Sequence, residues 1–395
     1  MNTANVQEGA ARGPGGLRQG RATPHGTARY ASRFAGSVHA GHFRAAPGGL
    51  ILSSIGIGTY LGEPDDADDR LYRDAVVAAV RSGCNVIDTA VNYRCQRSER
   101  SIGQALSELM GAGGEGEFFS REEVVVATKG GFIPFDGGFP ARPAEWFRSA
   151  LLAPGIASPQ DVVADCHIMT PRYLDAQIEW SRRNLGLETL DIYYLHNPET
   201  QLQEVRRDEF LVRLRAAFEL LEQKVAAGAI GVYGVATWDG LRLPPDHPGH
   251  LSLRELLGAA EQAGGRSHHF KAIQLPVNLA MGEASLDANQ MSGARRVSLL
   301  EAASEAGLTV MASGSLLQGQ VISALPPSFG DHVQGLRTSA QRGLQVVRSV
   351  PGVACALVGM KQLDHVRENL GVAAIPPMAG EEARRLLQAC RSPRR

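Results

Sequence analysis

The sequence predicts an α/β fold, a (β/α)8 TIM barrel with an N-terminal extension and long loops at the carboxyl-terminal face of its strands. Three features lead to this prediction: eight short apolar and β-branched runs, a helical pattern after each run, and polar or Gly/Pro-rich segments just beyond several of them. The runs are apolar on both faces, as buried parallel strands are. They lie at residues 53–59, 85–90, 123–129, 190–196, 230–237, 272–278, 308–313 and 353–359.

The segments between the runs carry start and stop signals for helices. In TPRYLDAQIEWSRRNLG, Thr170 is placed to cap a helix, Pro171 fits its first turn and Gly186 fits its end. The segment DDRLYRDAVVAAVRSG likewise has an acidic first turn and Gly83 beyond its last turn. A doubly wound sheet is the alternative, but GIGTYLG lacks the third glycine that a GxGxxG turn requires. The barrel is therefore favoured.

The composition excludes several classes of partner. The chain has 395 residues, 44% of them hydrophobic and 21% charged, with a net charge of -1, so it lacks the basic surface expected of a nucleic-acid-binding protein. No apolar run reaches the roughly 18 residues that a membrane span needs. The five cysteines are scattered and form no CxxC pair, which favours a reducing compartment. We expect a cytoplasmic protein without nucleic-acid or membrane partners, and its oligomeric state stays open.

A single domain is expected over residues 26–390, preceded by a disordered tail at 1–25 that is rich in Gly, Ala and Arg. Two segments lengthen the connections after strands: the insert 130–169 follows the third run, and the loop 239–252 follows the fifth. Barrels build their active sites at this face, so both segments are expected to shape a substrate site. Their candidate pocket residues are Phe132, Phe135, Trp146, His167 and Trp238.

Four polar side chains lie at or just after the ends of consecutive runs. Asp88, Lys129 and His196 end the second, third and fourth runs or lie next to their ends, and Tyr93 follows the second. Each alone is more often a cap, a solvated flank or a packing residue. Neighbouring parallel strands are about 4.8 Å apart, so together these four can converge on one small site.

The sequence resembles the aldo-keto reductase superfamily. The resemblance covers about residues 42–375 and rests on LILSSIGIGTYLG, NVIDTAVNY, SERSIGQAL, VVVATK, DIYYLHNPE and VGMKQLDHVRENL. It implies an NAD(P)(H)-dependent oxidoreductase that acts on a small carbonyl or alcohol. It also implies that Asp88, Tyr93, Lys129 and His196 form a catalytic tetrad.

The chemistry of these residue types fits that role. Reduction of a carbonyl by hydride leaves an alkoxide that must gain a proton, and Tyr93 can act as the general acid/base if its pKa falls from about 10 toward neutrality. The Lys129 ammonium would lower the pKa of Tyr93, and the Asp88 carboxylate would keep Lys129 charged. His196 can hydrogen-bond the substrate oxygen and orient it.

The resemblance also implies a cofactor, NADP(H) or less often NAD(H), bound across the barrel mouth. Ser313 occupies a position where many members have an aromatic residue, and Gly359, Met360 and His365 replace basic residues, leaving Lys361 as the candidate anion contact. NADP(H) remains favoured over NAD(H). The matching cofactor residues are Thr59, Tyr60, Asp88, Thr237, Gln274, Ser313, Gly314, Ser315, Leu316, Gly359, Lys361, His365, Glu368 and Asn369.

Two other functions are open to this sequence. A catalytically weak, cofactor-binding regulatory protein of the same fold would account for the missing aromatic residue and the long loops, although it would not require all four tetrad residues. A metal-dependent hydrolase would need histidines at strand ends with carboxylates at ligand spacing. His247, His250, His268 and His269 lie in loop sequence without them, so no metal site is expected.

Overall fold

The computed structural model describes residues 16–111, 119–323, 325 and 328–391. Each predicted run overlaps a strand of the structure. Within the described residues the strands are β1 Phe43–Ala45, β2 Ile51–Ser53, β3 Ile55–Gly58, β4 Val86–Asp88, β5 Val125–Gly130, β6 Leu190–His196, β7 Ile230–Ala236, β8 Phe270–Pro276, β9 Gln290–Ser292, β10 Arg295–Val297, β11 Thr309–Ser313 and β12 Cys355–Gly359.

A closed parallel barrel forms the centre of the molecule. Its strands follow one another in the order β3-β4-β5-β6-β7-β8-β11-β12, with β12 pairing back onto β3. This confirms the predicted (β/α)8 barrel. Alternate side chains of these strands point inward and pack as one buried cluster, so the interior is a core rather than a channel. Its members from the strands are Val86, Val125, Ala127, Ile192, Tyr194, Ala236, Ala272, Met311, Cys355 and Leu357.

Amphipathic helices cover the outside of the barrel. In α5 the buried positions include Leu174, Ile178 and Leu185, which recur along one face, and Gly186 ends the helix in the left-handed conformation with φ 67°. The described helices are α1 Pro24–Arg33, α2 Asp66–Arg81, α3 Arg97–Met110, α4 Pro143–Phe147, α5 Pro171–Leu185, α6 Arg207–Ala226, α7 Leu253–Gly264, α8 Glu283–Leu286, α9 Leu299–Glu305, α10 Gln320–Ser323, α11 Phe329–His332, α12 Ser339–Ser349, α13 Leu363–Leu370 and α14 Gly380–Cys390.

The N-terminal extension is ordered further toward the N-terminus than the composition indicates. The prediction of disorder is wrong for residues 16–25, and residues 1–15 lie outside the described part of the chain. The Ala22 N–H donates to the Asp191 carboxylate at 2.6 Å, and Arg18 pairs through its backbone with the segment after α5. Helix α1 then begins at Pro24. Tertiary hydrogen bonds supply the order that this Gly- and Arg-rich segment cannot supply by itself.

A β-hairpin closes the amino-terminal end of the barrel. Strands β1 and β2 pair antiparallel, and β2 leads almost directly into β3. Leu52 of the hairpin, Ala46 of its turn and Ala22 of the extension join the buried cluster of the barrel interior. Apolar side chains therefore fill this end, and the opposite, carboxyl-terminal end is left for a site.

The insert 130–169 and the loop 239–252 both lie at the carboxyl-terminal end. The insert contains α4 and a small core of its own, made of Leu151, Ala157 and Ile168 against Tyr173 of α5. The loop is fixed by Arg242, which bonds to Asp239 and to Glu283 of α8. Among the described residues no helix has the length and apolarity needed to cross a bilayer.

Candidate active site

The structure brings Asp88, Tyr93, Lys129 and His196 together at the carboxyl-terminal rim. The Lys129 ammonium is 2.7 Å from the Asp88 carboxylate and 3.2 Å from the Tyr93 hydroxyl. The rings of Tyr93 and His196 meet edge to face with their centroids 5.8 Å apart. Because β4, β5 and β6 are adjacent in the barrel, the ends of these strands deliver the side chains to one place.

A left-handed turn directs Tyr93 into this site. Arg94, Cys95 and Gln96, directly after Tyr93, all have positive φ, at 47°, 54° and 68°. Such a run costs about 1–2 kcal/mol per residue and persists only where its surroundings hold it. The insert does so, because the Gly137 N–H donates to the Cys95 carbonyl and the Gln96 amide donates to the Phe135 carbonyl. The strained turn and the insert therefore set the position of Tyr93 together.

Lys129 stays charged although no part of it is exposed. Burial alone would lower the pKa of Lys129, but the charge of Asp88 and the hydrogen bonds to Asp88 and Tyr93 outweigh it and raise that pKa. The second oxygen of Asp88 accepts a 2.7 Å hydrogen bond from the Gln274 amide. The carboxylate is thus held by two donors and cannot turn away from the ammonium.

The pKa of Tyr93 shifts opposite to the sequence-based expectation. Burial raises the pKa of Tyr93, and Lys129 lowers it by its charge and hydrogen bond without reversing the increase. The expected fall toward neutrality is therefore wrong in this structure, since the cost of desolvating a phenolate is larger than the attraction of one ammonium. Tyr93 is a neutral phenol at neutral pH, which is the form that can donate a proton.

His196 is a neutral imidazole held through its backbone. Burial, followed by the charge of Lys129, lowers the pKa of His196 well below its ordinary value. The His196 carbonyl accepts a 2.8 Å hydrogen bond from Nε2 of His167 in the insert. Nδ1 of His167 is 2.9 Å from the Gln201 amide, which is a donor, so His167 carries its proton on Nε2. His167 was a candidate pocket residue, and its contact is to His196 instead.

A cavity of about 870 Å³ opens above the four catalytic candidates. Every predicted cofactor residue except Lys361 lines it, from Thr59 after β3 to Asn369 on α13. Thr237, Asn369 and Asn92 line it, and each has a buried side-chain oxygen without a hydrogen bond to another described residue. Such atoms, spread along an elongated cavity, fit a long polar ligand such as a dinucleotide.

Lys361 forms an ion pair that the sequence did not indicate. Its ammonium forms an ion pair with Asp68 of α2 at 2.7 Å, and it does not line the cavity. The anion contact of Lys361 therefore stays a prediction. Asp68 is 293 residues away from Lys361 in the sequence, so no local pattern indicated this ion pair. Lining residues that the sequence did not indicate include Asn92, Asn197, Leu317, Gln318, Gly319, Ile322 and Ala340.

Aromatic side chains form the outer rim of the cavity. Tyr60 is 58% exposed and Trp238 is 42% exposed, and both line it together with Phe132. The backbone N–H of Trp238 and the next two N–H groups donate to one oxygen of Glu199, at 3.0 to 3.3 Å, which fixes the turn that carries Trp238. Phe135 and Trp146 contact each other, with ring centroids 5.1 Å apart, and do not line the cavity.

The described residues contain no group of three or more His, Cys, Asp or Glu side chains that could hold a metal ion. His269 pairs with Glu222, and His250 bonds to the Leu243 carbonyl.

Known proteins share this barrel. An aldo/keto reductase from Klebsiella pneumoniae, solved with NADP and acetate, aligns over 90% of this chain and 97% of its own, with a TM-score of 0.57 and 22% identity. A glycerol dehydrogenase from Gluconobacter oxydans aligns over 89% of this chain and 95% of its own, with a TM-score of 0.58 and 18% identity. At these identities the likeness establishes the fold.

Comparisons of the sequence add to this likeness in fold. The family model described as Aldo/keto reductase family matches residues 54–243, a range that includes all four tetrad positions. An NADH-specific methylglyoxal reductase of Escherichia coli strain K12 is 30% identical over 152 residues, or 37% of this chain and 39% of that protein. A D-threo-aldose 1-dehydrogenase of a Pseudomonas species is 28% identical over 205 residues, or 49% of this chain and 52% of that protein. Residues 54–243, just under half of the chain, match the aldo/keto reductase family, and the chain spans only 39% and 52% of the length of these two relatives.

Proposed function

We propose that this protein is a nicotinamide-dependent oxidoreductase that interconverts a small carbonyl compound and its alcohol, with Tyr93 as the general acid/base. One observation carries the proposal: a buried ammonium, Lys129, bridges the Asp88 carboxylate and the Tyr93 hydroxyl at the base of the cavity. An ion pair that served only to stabilise the fold would not require the phenol of Tyr93, a residue that lines the cavity. The names of the relatives, a reductase and two dehydrogenases, agree with this chemistry.

In the reduction, a reduced nicotinamide held in the cavity would supply the hydride. The Tyr93 hydroxyl donates its proton to the carbonyl oxygen as negative charge develops there. Lys129 stabilises the phenolate that remains, and Asp88 keeps Lys129 in place and charged. The neutral His196 ring faces the same cavity and can hydrogen-bond the carbonyl oxygen, which orients it.

The remaining cavity residues fit the cofactor. Thr237 and Gln274 lie at the ends of neighbouring strands β7 and β8 and would hold the carboxamide, close to the catalytic group. The backbone of Ser313 to Leu316 would line the phosphates, and the residues from Gly359 to Asn369 would line the adenosine. The orphaned Thr237 and Asn369 oxygens gain hydrogen-bond partners in this arrangement.

The substrate would enter past the aromatic rim. Tyr60, Phe132 and Trp238 present apolar faces, and Asn92 and Asn197 add polar groups near Tyr93. A small carbonyl compound with an apolar or hydroxylated body matches this mixture. The choice between NADP(H) and NAD(H) does not depend on these substrate-side residues. It depends on groups near the adenosine ribose, far from Tyr93.

The proposal is tested by assaying a panel of aldehydes, ketones and α-oxoaldehydes with NADH and with NADPH, using wild type and Tyr93→Phe. We expect turnover with at least one carbonyl, and a fall of about 10²- to 10⁴-fold in kcat for Tyr93→Phe with cofactor binding retained. Equal rates for the two proteins would refute the role of Tyr93. Tight cofactor binding without turnover on any carbonyl would favour the regulatory alternative.

A further inference from the structure

The cavity has a catalytic end and a distal end. Tyr93 and His196 mark the catalytic end, near the ends of β4 and β6. Gly359 at the end of β12 and His365, Glu368 and Asn369 of α13 mark the distal end. A nicotinamide must lie beside Tyr93 to react, so the other half of a bound dinucleotide extends toward α13. The distal end therefore meets the only group in which NADP(H) differs from NAD(H), the phosphate on the adenosine ribose.

The distal end carries negative rather than positive charge. No lysine or arginine is among the described residues that line the cavity, whereas Glu368 is. The Glu368 carboxylate makes no ion pair with another described residue, and only its backbone carbonyl is engaged, by the Gln341 amide. A free carboxylate accepts hydrogen bonds from ribose hydroxyls and repels a phosphate in the same place.

Lys361 lies next to this end but is held by Asp68. Its ammonium is 2.7 Å from one carboxylate oxygen of Asp68, whose other oxygen accepts the Glu63 N–H at 2.6 Å. Asp68 is only 7% exposed, and the Gly62 backbone covers it so closely that a Cβ at Gly62 would collide with the carboxylate. Burial would raise the pKa of Asp68, but the hydrogen bonds from Lys361 and Glu63 lower it overall. Asp68 thus stays ionised and keeps its partner.

Two other basic side chains lie near the distal end. Arg367 of α13 is exposed and pairs with Asp364 one turn earlier at 2.7 Å. Arg337 is exposed and precedes α12, whose Ala340 lines the cavity, but Arg337 itself does not line it. The described cavity wall at this end therefore offers a ribose phosphate one carboxylate, the His365 imidazole, and neither a lysine nor an arginine.

We propose that the distal end of the cavity selects NAD(H) over NADP(H), because Asp68 withholds Lys361 and Glu368 faces the ribose. This inference rests on the proposed function, and it reverses the preference expected from the resemblance. A ribose phosphate carries nearly two negative charges, so it would lose water and gain no counter-charge here. The unphosphorylated ribose would instead donate a hydrogen bond to Glu368.

The test is direct binding of NADH, NADPH, NAD and NADP to the full-length wild-type protein, by calorimetry or by quenching of tryptophan fluorescence. We expect NAD(H) to bind at least about tenfold more tightly than NADP(H). Equal or tighter binding of NADP(H) would overturn the selectivity and leave the proposed function standing. Failure of all four to bind would overturn both.

The variant Asp68→Asn tests whether the ion pair between Asp68 and Lys361 causes the selectivity for NAD(H). It keeps a carbonyl oxygen for the Glu63 N–H and removes the charge that holds Lys361, so NADP(H) should bind about three- to tenfold more tightly while NAD(H) binding stays the same. The double variant Asp68→Asn/Lys361→Met should lose this gain. Lys361→Met alone should leave both affinities at the wild-type level, and its thermal unfolding reports separately on loss of the ion pair.

Two results, one from Lys361→Met and one from a further variant, Arg337→Gln, would contradict the mechanism. A drop in NADP(H) affinity on Lys361→Met alone would mean that Lys361 already reaches the phosphate in the wild type. A selective drop on Arg337→Gln would mean that Arg337 supplies the counter-charge that the cavity wall lacks. Either outcome overturns the inference.

Discussion

At the scale of single residues, the site depends on one buried ammonium that hydrogen-bonds three oxygen atoms. Lys129 bonds to Asp88, Tyr93 and the Thr89 carbonyl, which uses all three of its donors. Tyr93 and His196 are both neutral in this environment, because burial opposes the charged form of each. The resting site is therefore prepared to donate a proton rather than to accept one.

These protonation states predict the pH dependence. Tyr93, with its raised pKa, stays protonated as the pH increases past neutrality, and His196, with its lowered pKa, stays neutral as the pH decreases. We expect kcat/KM for carbonyl reduction to be flat between about pH 6 and pH 9 and to fall only above that range. Alcohol oxidation needs the phenolate and should increase with pH over the same range. A reduction profile that falls with a midpoint near neutrality would contradict these states.

At the scale of elements, the insert 130–169 positions two residues of the candidate active site, Tyr93 and His196. It holds the left-handed turn after Tyr93 through Gly137, and it holds the end of β6 through His167. Burial lowers the pKa of His167 to about 4, so the ring is neutral at neutral pH, and the Gln201 amide fixes its tautomer. The chain of hydrogen bonds continues from His167 through Gln201 to Arg213 of α6.

His167→Ala tests this task. Loss of the bond to the His196 carbonyl should let the His196 ring shift, and kcat should fall about 10- to 100-fold while the Kd for the dinucleotide stays within error. Cys166→Ser, a half-buried neighbour in the same turn, is the matched control and should behave as wild type. His167→Gln, which retains a donor, should recover part of the loss. Unchanged kcat in His167→Ala would show that the insert does not position His196.

At the scale of the whole molecule, the N-terminal extension packs on residues that do not line the cavity. Tyr30 of α1 is fully buried and donates a 2.5 Å hydrogen bond to the Val80 carbonyl of α2. Its ring packs against Phe34, Phe43 and Phe119. The N-terminal extension is thus tied into the helical layer, away from the cavity.

Tyr30→Ala should lower the free energy of unfolding by about 3–5 kcal/mol, since it removes a buried aromatic ring. Tyr30→Phe should lower it by about 1 kcal/mol, the net contribution of one hydrogen bond. Urea unfolding measures both, and kcat measured below the transition should be that of wild type. A wild-type unfolding midpoint for Tyr30→Ala would show that the extension does not contribute to the fold.

Features that depend on local sequence patterns could be predicted from the sequence. Features that depend on contacts between distant parts of the chain could not. The strands β3 to β8, β11 and β12 and the tetrad positions follow from apolar runs that end in polar residues. The order of residues 16–25 depends on Asp191, and the position of Lys361 depends on Asp68, both of which are distant in sequence. The sign of the pKa shift of Tyr93 depends on how completely the fold removes water, which no spacing of residues reveals.

The most direct test of the central claim is a crystal structure of the protein with a nicotinamide dinucleotide bound. The account predicts that the nicotinamide ring lies against the Tyr93 hydroxyl, within about 4 Å of the space where a carbonyl would contact Tyr93 and His196. It also predicts that Lys129 still bridges Asp88 and Tyr93 in that complex. A dinucleotide bound outside the cavity, or a Tyr93 hydroxyl turned away from Lys129, would contradict the account.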